Sequence, residues 1–468
     1  MTTTDDRPAP GRVEGLRDEL DGMFFLPGEP GYDEHRRAWN LRARHEPAAV
    51  VRAGTAEDVR RTVRWAAAAG LGVGVMATGH GTGAAVDASG ILINTSALRR
   101  VSADPGRRMA RVEAGAIWQD VIDAAAPHGL AGLAGSMTGV GVVGYTLGGG
   151  FGWLGRRYGL AAHSVTGAEI VTAGGDLLRT DAGRDPDLFW AIRGGTGNLG
   201  IVTALEFALH PVREVYAGNL YYPLDRARDV LEFAAEWSRG VPDELTAAIT
   251  FRRFPPAPAV PQGLRGRSLV AMRGCHCGDL GQARALIDHA RAALGPAEVD
   301  TFAVMPAAGL AAVSLDPVDP LPALSHSELL ADLTPEAIEA VLGLTGADSP
   351  LVMFELRQLG GALIGPAEAL SPLAHTSARF SLNAIGVTPG APQEATVRAH
   401  LARVAAELGP HVTGESYLNF LDLDGATPDR IRAAYTAADL DRLQRVKAGH
   451  DPDNVFRFNR NVQPPIER

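Results

Sequence analysis

A histidine inside a glycine loop is the first feature of this sequence with the means to do chemistry. Residues 77–83 read Ala-Thr-Gly-His-Gly-Thr-Gly and follow the apolar strand pattern Val73–Met76. Glycines let a ligand approach the backbone closely, and their N–H groups can converge on an anion. His80 places an imidazole at the centre of that loop. The alternative for a lone loop histidine is a solvated or hydrogen-bonded side chain without a chemical role.

A second run, from Ala134 to Trp153, is the glycine-richest part of the chain. Glycine is costly inside a strand or helix, so this density predicts irregular backbone lying against a flat or polyanionic ligand. Gly79–Ala84 and Gly139–Gly144 both mimic a dinucleotide fingerprint. Neither has the long following helix and the acidic residue that the fingerprint requires. Nicotinamide binding is therefore disfavoured, whereas a backbone cradle for a pyrophosphate remains open.

Length and composition bound the class of protein. The chain has 468 residues, 46% hydrophobic and 21% charged, with a formal net charge of −10. These values predict two or three domains around a sizeable core and argue against nucleic acid or an anionic membrane as a partner. We find no signal-peptide pattern and no membrane-length apolar run, so we expect a cytoplasmic protein. Cys275 and Cys277 are too close for a structural disulfide, and no metal site is predicted.

The elements around these motifs alternate between helix and strand. A helix begins after Thr55 and ends at Gly70, and hairpins are predicted around residues 98–114 and 169–179. Residues 215–410 again mix helical and strand patterns. The chain is therefore expected to adopt an α+β fold.

Several separated motifs, in order, resemble those of the berberine-bridge-enzyme-like branch of the vanillyl-alcohol-oxidase flavoprotein superfamily. The similarity covers residues 35–212 and 415–464 well, and the middle of the chain loosely. The motifs are Thr78-Gly-His80, Gly148-Gly-Gly-Phe-Gly152, Tyr158-Gly-Leu160, Asp187-Leu-Phe-Trp-Ala-Ile-Arg-Gly-Gly195, Asn198-Leu-Gly-Ile-Val-Thr203, Tyr417-x-Asn419 and Asp451-Pro-x-Asn-Val-Phe456.

The resemblance implies a domain plan. An N-terminal segment, 1–39, precedes a PCMH-type FAD-binding domain of two subdomains at 40–212. A substrate domain at 213–414 carries an antiparallel sheet covered by helices. A berberine-bridge-like segment, 415–468, returns to the FAD domain.

The resemblance also implies FAD held covalently by His80. In many relatives a cysteine supplies a second link, but Met137 stands at that position here, so a single attachment is expected. The residues expected to bind the cofactor are Thr78, Gly79, His80, Gly81, Thr82, Gly83, Gly135, Ser136, Thr138, Gly141, Gly144, Tyr145, Gly149, Gly150, Gly152, Ile201, Val202, Asn419 and Asn459.

The sequence leaves the catalytic base open, because the family's usual base position is a tyrosine and Phe420 occupies it here. Phenylalanine cannot titrate, so another group must take the proton. Tyr417, three residues earlier, is one candidate, and Tyr145 and His375 are weaker ones.

Glu355 is the other main candidate for the base. It lies in a strand pattern whose period of two places Met353, Glu355 and Arg357 on one face. A carboxylate among apolar neighbours has a raised pKa and can act as a base. The alternative is a Glu355–Arg357 ion pair on a solvated face.

The resemblance implies an FAD-dependent oxidoreductase that oxidises a hydroxylated small metabolite, either phenolic, sugar-like or from secondary metabolism, with O2 as acceptor and H2O2 as product. One alternative is a flavin-dependent oxygenase acting on a polyketide-like or phenolic substrate. Another is a flavin-binding protein without turnover. The expected partners are the substrate and O2, and the chain is expected to be a monomer or a homodimer.

Overall fold

Three β-sheets organise the part of the chain that the computed structural model describes, which is residues 14–81, 83–364, 370–373 and 377–465. Helices and strands alternate throughout, which confirms the predicted α+β class. Within these residues, no helix is both long and apolar enough to cross a membrane. The predicted domain boundaries remain predictions.

The first sheet has four strands in the order β1-β2-β4-β3. The β1–β2 pair is antiparallel, and β4 lies parallel to both of its neighbours. The strand β1 belongs to the predicted N-terminal segment and nevertheless pairs with β2. The strands are β1 Met23–Phe25, β2 Ala49–Arg52, β3 Gly72–Met76 and β4 Gly90–Asn94.

The helix Ala56–Ala68 shows how local sequence builds this layer. The hydroxyl of Thr55 accepts a hydrogen bond from the Asp58 N–H at 3.1 Å, and the Asp58 carboxylate accepts one from the Thr55 N–H at 3.0 Å. This reciprocal capping box satisfies N–H groups that have no partner inside the helix. Val59 and Val63 then bury one face against the first sheet, as the sequence pattern predicts.

The second sheet has five antiparallel strands in the order β5-β6-β9-β7-β8. The glycine-rich run lies between β6 and β7. The strands are β5 Val101–Asp104, β6 Met109–Glu113, β7 Val165–Val171, β8 Leu177–Asp181 and β9 Ile201–Ala208. The other helices of this half are Tyr32–His35, Trp118–Ala125, Val142–Leu147, Gly155–Tyr158 and Pro186–Ile192.

The third sheet is the largest and wholly antiparallel, with its path running β13-β10-β12-β11-β16-β17-β15 and β14 paired with β10. One face packs against helices and forms an apolar core. The strands are β10 Glu214–Pro223, β11 Leu245–Arg253, β12 Ser268–His276, β13 Val299–Asp300, β14 Ala303–Pro306, β15 Ala323–Leu330, β16 Met353–Gln358 and β17 Phe380–Val387. The helices are Ala227–Trp237, Leu280–Leu294, Ala311–Ser314, Pro335–Thr345 and Ala391–Leu408.

The C-terminal segment, with helices Pro428–Arg432 and Ala437–His450, docks onto the first half of the chain. The Lys447 ammonium is fully buried, where it donates to the Asn198 carbonyl at 2.7 Å and to the Asp451 carboxylate at 2.6 Å. Asn198 in turn accepts from the Val462 N–H at 2.8 Å. The hydrogen bonds of Lys447 and Val462 to Asn198 tie the tail to the turn that precedes β9, and Asp451 balances the buried Lys447 charge.

Replacing Asp451 by Asn should destabilise the protein strongly. The substitution leaves the Lys447 ammonium buried without its carboxylate, and such losses cost about 3–5 kcal/mol. Urea denaturation followed by fluorescence measures the change in the free energy of unfolding.

Asp441→Asn is the matched control, because Asp441 is exposed and pairs with Arg445 on the surface of the same helix. That substitution should cost about 1 kcal/mol or less. Equal effects of the two substitutions would contradict a specific role for the buried pair.

Candidate functional site

His80 is held in one orientation by two neighbours. Its Nδ1 lies 2.8 Å from the Thr78 hydroxyl, and its ring stacks on Trp39 with centroids 4.5 Å apart. Its Nε2 is buried and has no hydrogen-bond partner among the described residues. Burial lowers the pKa of His80 to about 4, so the imidazole is neutral at neutral pH and one nitrogen keeps a lone pair.

The backbone of residues 38–40 supports this loop from behind. The Trp39 N–H donates to the Thr78 carbonyl at 3.0 Å, and the Asn40 N–H donates to the Gly79 carbonyl. Gly79 has a φ of +73°, and a Cβ there would lie 2.5 Å from the Ala38 Cα. Sequence reasoning missed Trp39, because the predicted boundary at 39/40 separated it from the loop that it contacts.

Two loops present backbone N–H groups that donate to no described residue. One set lies in residues 79–81, 83 and 84, and the other in residues 135–139. The loops adjoin, because a Cβ built at Gly141 would lie 3.3 Å from the Ala77 Cβ. Free N–H groups from successive small residues form an anion-binding concavity, which suits a pyrophosphate. Thr82, a predicted contact, lies outside the described residues.

The glycines at 148–152 pack closely against other parts of this chain. This corrects the expectation that a ligand explains the glycine density of the run. A Cβ at Gly148 would lie 1.9 Å from the Asn419 Oδ1, and one at Gly152 would lie 1.9 Å from the Ala134 carbonyl oxygen. A Cβ at Gly150, where φ is +72°, would lie 2.4 Å from the Tyr145 ring. Close packing within the chain therefore requires these residues to be glycine.

The expectation that no helix forms in this run was also wrong. Residues Val142–Leu147 form a short helix with Gly144 as its one internal glycine. Gly144 lies on the exposed side, where a Cβ would have no described atom within 4 Å, while Val143 and Leu147 are buried. The helix forms because its apolar residues pack on the core of the second sheet.

Two tyrosine hydroxyls lie at the glycine-rich run, one from Tyr145 within the run and one from Tyr417 of the C-terminal segment. The Tyr417 oxygen accepts from the Phe151 N–H at 3.1 Å and from the Asn419 Nδ2 at 3.2 Å. The Tyr145 hydroxyl is buried without a partner among the described residues. Burial raises the pKa of Tyr417 to about 12, and burial raises the pKa of Tyr145 well above its usual value. Both hydroxyls are therefore protonated at neutral pH.

The expected raised pKa of Glu355 is wrong. The residue is 4% exposed, and its carboxylate contacts Arg357 Nη2 at 2.7 Å and Arg273 Nη1 at 2.9 Å. Burial alone would raise the pKa of Glu355, but the two guanidinium charges lower it below its usual value. The predicted ion pair with Arg357 is present, although it is buried rather than solvated. Sequence reasoning missed Arg273, which follows the apolar residues Leu269–Met272 in strand β12.

The remaining predicted contacts are spread over the site and its surroundings. Asn459 donates its amide to the Gly197 and Phe456 carbonyls, and its buried Oδ1 has no described partner. Asn419 donates its amide to the Tyr145 carbonyl and the Tyr417 hydroxyl, and its Oδ1 packs against Gly148. Ile201 and Val202 are core residues of β9, and His375 lies outside the described residues. These contacts stay predictions.

FAD fits the residues present. The free N–H groups of the two loops suit its pyrophosphate, and the unpartnered polar atoms of His80, Tyr145 and Asn459 are groups that a bound cofactor would satisfy. Fold and site together define a flavin-dependent oxidoreductase.

Comparison with known proteins agrees with this class. Residues 47–181 match the model of an FAD binding domain, and residues 416–463 match the model described as berberine and berberine like. These matches fit the berberine-bridge-enzyme-like FAD-linked oxidases, and the chain is an FAD-linked oxidoreductase.

Full-length relatives support the assignment. An FAD-linked oxidoreductase of Dictyostelium discoideum is 26% identical over 97% of this chain and 97% of its own length. The (R)-6-hydroxynicotine oxidase of Paenarthrobacter nicotinovorans is 28% identical over 95% and 97%. The crystal structure of 6-hydroxy-D-nicotine oxidase from Arthrobacter nicotinovorans superposes with a TM-score of 0.82, covering 95% of this chain and 98% of that chain at 26% identity.

Replacing Gly150 by Ala should destabilise the protein by about 2–4 kcal/mol, because the new Cβ combines left-handed backbone strain with overlap on Tyr145. Thermal unfolding monitored by circular dichroism measures the change. Gly144→Ala in the same run is the matched control. It should leave stability unchanged or slightly raised, since the Cβ enters open space on a helix. A tolerated Gly150→Ala would contradict the packing described here.

Proposed function

We propose that this protein is an oxidase whose FAD is covalently attached to His80, and that it oxidises a hydroxylated small metabolite with O2 as acceptor. Two electrons and two protons leave the substrate, and O2 takes them up to give H2O2. The observation that carries the proposal is the neutral, stacked imidazole of His80, with an unpartnered Nε2, in a loop whose N–H groups are free. When bound, the flavin supplies a hydride acceptor.

Tyr417 is the proposed proton acceptor. Two N–H donors, from Phe151 and Asn419, already point at its oxygen and favour its ionised form. The Arg357 charge also lowers the pKa of Tyr417, against the larger effect of burial. Phe420 packs edge-on against the Tyr417 ring with centroids 5.0 Å apart, so it supports the tyrosine without titrating itself.

Glu355 has a positioning role in this proposal. Its lowered pKa makes it a poor proton acceptor, and both its oxygens contact guanidinium groups. It holds Arg357 over the rings of Phe151 and Trp153, at 5.7 and 4.7 Å from their centroids. Arg357 thereby lies between the third sheet and the glycine-rich run.

Acid precipitation tests the covalent attachment. The pellet of the wild-type protein should remain yellow, whereas His80→Ala should release its flavin into the supernatant or lose it during purification. His128→Ala, an exposed histidine of the same half of the chain, is the control and should retain a yellow pellet. Flavin released from the wild type would refute the attachment.

Turnover with labelled O2 distinguishes an oxidase from an oxygenase. The label should appear in peroxide and not in the organic product, whereas label in the organic product would indicate an oxygenase.

The pH dependence of flavin reduction tests the role of Tyr417. A base must be ionised to act, so with a pKa of about 12 its active fraction rises tenfold per pH unit below that value. The rate constant for anaerobic flavin reduction, measured by stopped flow, should therefore rise steadily from pH 6 to pH 10. Tyr417→Phe should flatten the profile while the flavin content is unchanged. A flat profile in the wild type would exclude Tyr417 as the base.

A further inference from the structure

The face of the third sheet that points away from its helices carries a group of polar side chains beside the glycine-rich run. In the antiparallel register, Arg357 lies opposite Ser381, and Glu355 lies between Thr250 and Asn383. Directly paired residues project from the same face, so these five side chains form one patch, here called the inner face. Trp153 of the glycine-rich run covers part of it, 4.7 Å from the Arg357 guanidinium.

Exposure changes along the inner face. Arg357 and Ser381 are buried, at 5% and 2% exposed, whereas Asn383 is half-buried. Met353 and Ile385, the next pair on the same face beyond Glu355 and Asn383, are also half-buried. The face therefore has a closed end at Arg357 and opens towards Met353 and Ile385.

The closed end carries an unbalanced charge. Two guanidinium groups, of Arg273 and Arg357, share the single carboxylate of Glu355 among the described residues. One positive charge is thus left without a counter-ion. A buried charge without a counter-ion is expensive, so an anion bound at this end would be favoured.

Unpartnered polar atoms lie around that charge. Arg357 Nε, Thr250 Oγ1, Ser381 Oγ and Asn383 Oδ1 are all buried and have no hydrogen-bond partner among the described residues. Thr250 is fully buried and Arg357 and Ser381 nearly so. The guanidinium N–H of Arg357 and the hydroxyl of Ser381, its direct cross-strand neighbour, can donate together to an oxygen that bears negative charge.

We propose that the inner face binds an anionic oxygen group of the substrate, a carboxylate or an ionised phenol, with Arg357 as the residue that determines specificity. This inference rests on the proposed function, because it names the class of molecule that the oxidase accepts. Ser381, which is paired directly with Arg357, donates to the same group, and Glu355 holds Arg357 in position. The neutral analogue of such a substrate lacks the charge that balances the guanidinium groups.

Isothermal titration calorimetry of the purified protein tests the inference with four probes: benzoate and 4-nitrophenolate, and their neutral counterparts benzamide and 4-nitroanisole. At least one anion should bind about tenfold or more tightly than its neutral counterpart, as charge-assisted hydrogen bonds require. The anion that binds more tightly distinguishes a carboxylate from a phenolate. Equal binding, or no binding, of both anions and both neutral molecules would overturn the inference.

Two substitutions with opposite charge effects separate recognition from general stability. Arg357→Met should weaken anion binding about tenfold or more, while Glu355→Gln should strengthen it, because it removes the competing carboxylate. Arg253→Gln removes a positive charge from the opposite face of β11 and should change nothing. Weakening by both Arg357→Met and Glu355→Gln would overturn the inference. If either variant fails to fold, the wild-type comparison of anions with neutral probes decides.

The calorimetry needs no activity, so the two proposals can fail separately. A yellow pellet with no preference for anions would leave the oxidase proposal standing and remove the inference. Anion preference in a protein that cannot hold FAD would remove the oxidase proposal and leave the anion-binding inference standing.

Discussion

The structure depends on one packing constraint, which is the absence of room for a Cβ at the glycines of residues 148–152. At these positions the backbone touches Asn419, the Tyr145 ring and the Ala134 carbonyl. The contact of Gly148 with Asn419 joins the glycine-rich run to the C-terminal segment, about 270 residues away in sequence. Any side chain there would push these parts away from one another, because packed interiors do not yield by an ångström without cost.

This close packing also fixes the chemistry that borders it. The same run supplies the Phe151 N–H that donates to Tyr417 and the rings that flank Arg357. Its compactness excludes water from Tyr417 and Tyr145, which is why burial raises the pKa of each, while packing against Trp39 helps to bury His80 and lower its pKa. Neutral imidazole and protonated phenols are thus consequences of packing. Glu355 is the exception, since two arginines outweigh its burial.

Local signals were readable from the sequence, whereas long-range ones were not. The capped helix Ala56–Ala68 follows from Thr55, Asp58 and an apolar stripe, all within one stretch of chain. The low pKa of Glu355 could not be predicted in this way, because Arg273 lies 82 residues away and only the sheet register brings them together. The glycines of the run were found, but their density was credited to a ligand when neighbours distant in sequence explain much of it.

The third sheet separates two tasks that the chain must perform. Its outer face packs against helices through apolar residues and stabilises the domain, so polar substitutions there would disrupt a core. Its inner face contacts the glycine-rich run and carries the polar side chains, including Arg357 and Glu355. Alternate residues of a strand point to opposite faces, so a change at Thr250 or Asn383 leaves the helix-packed core intact. In this architecture the ligand preference can change without rebuilding the cofactor loops, because recognition and cofactor binding use different elements.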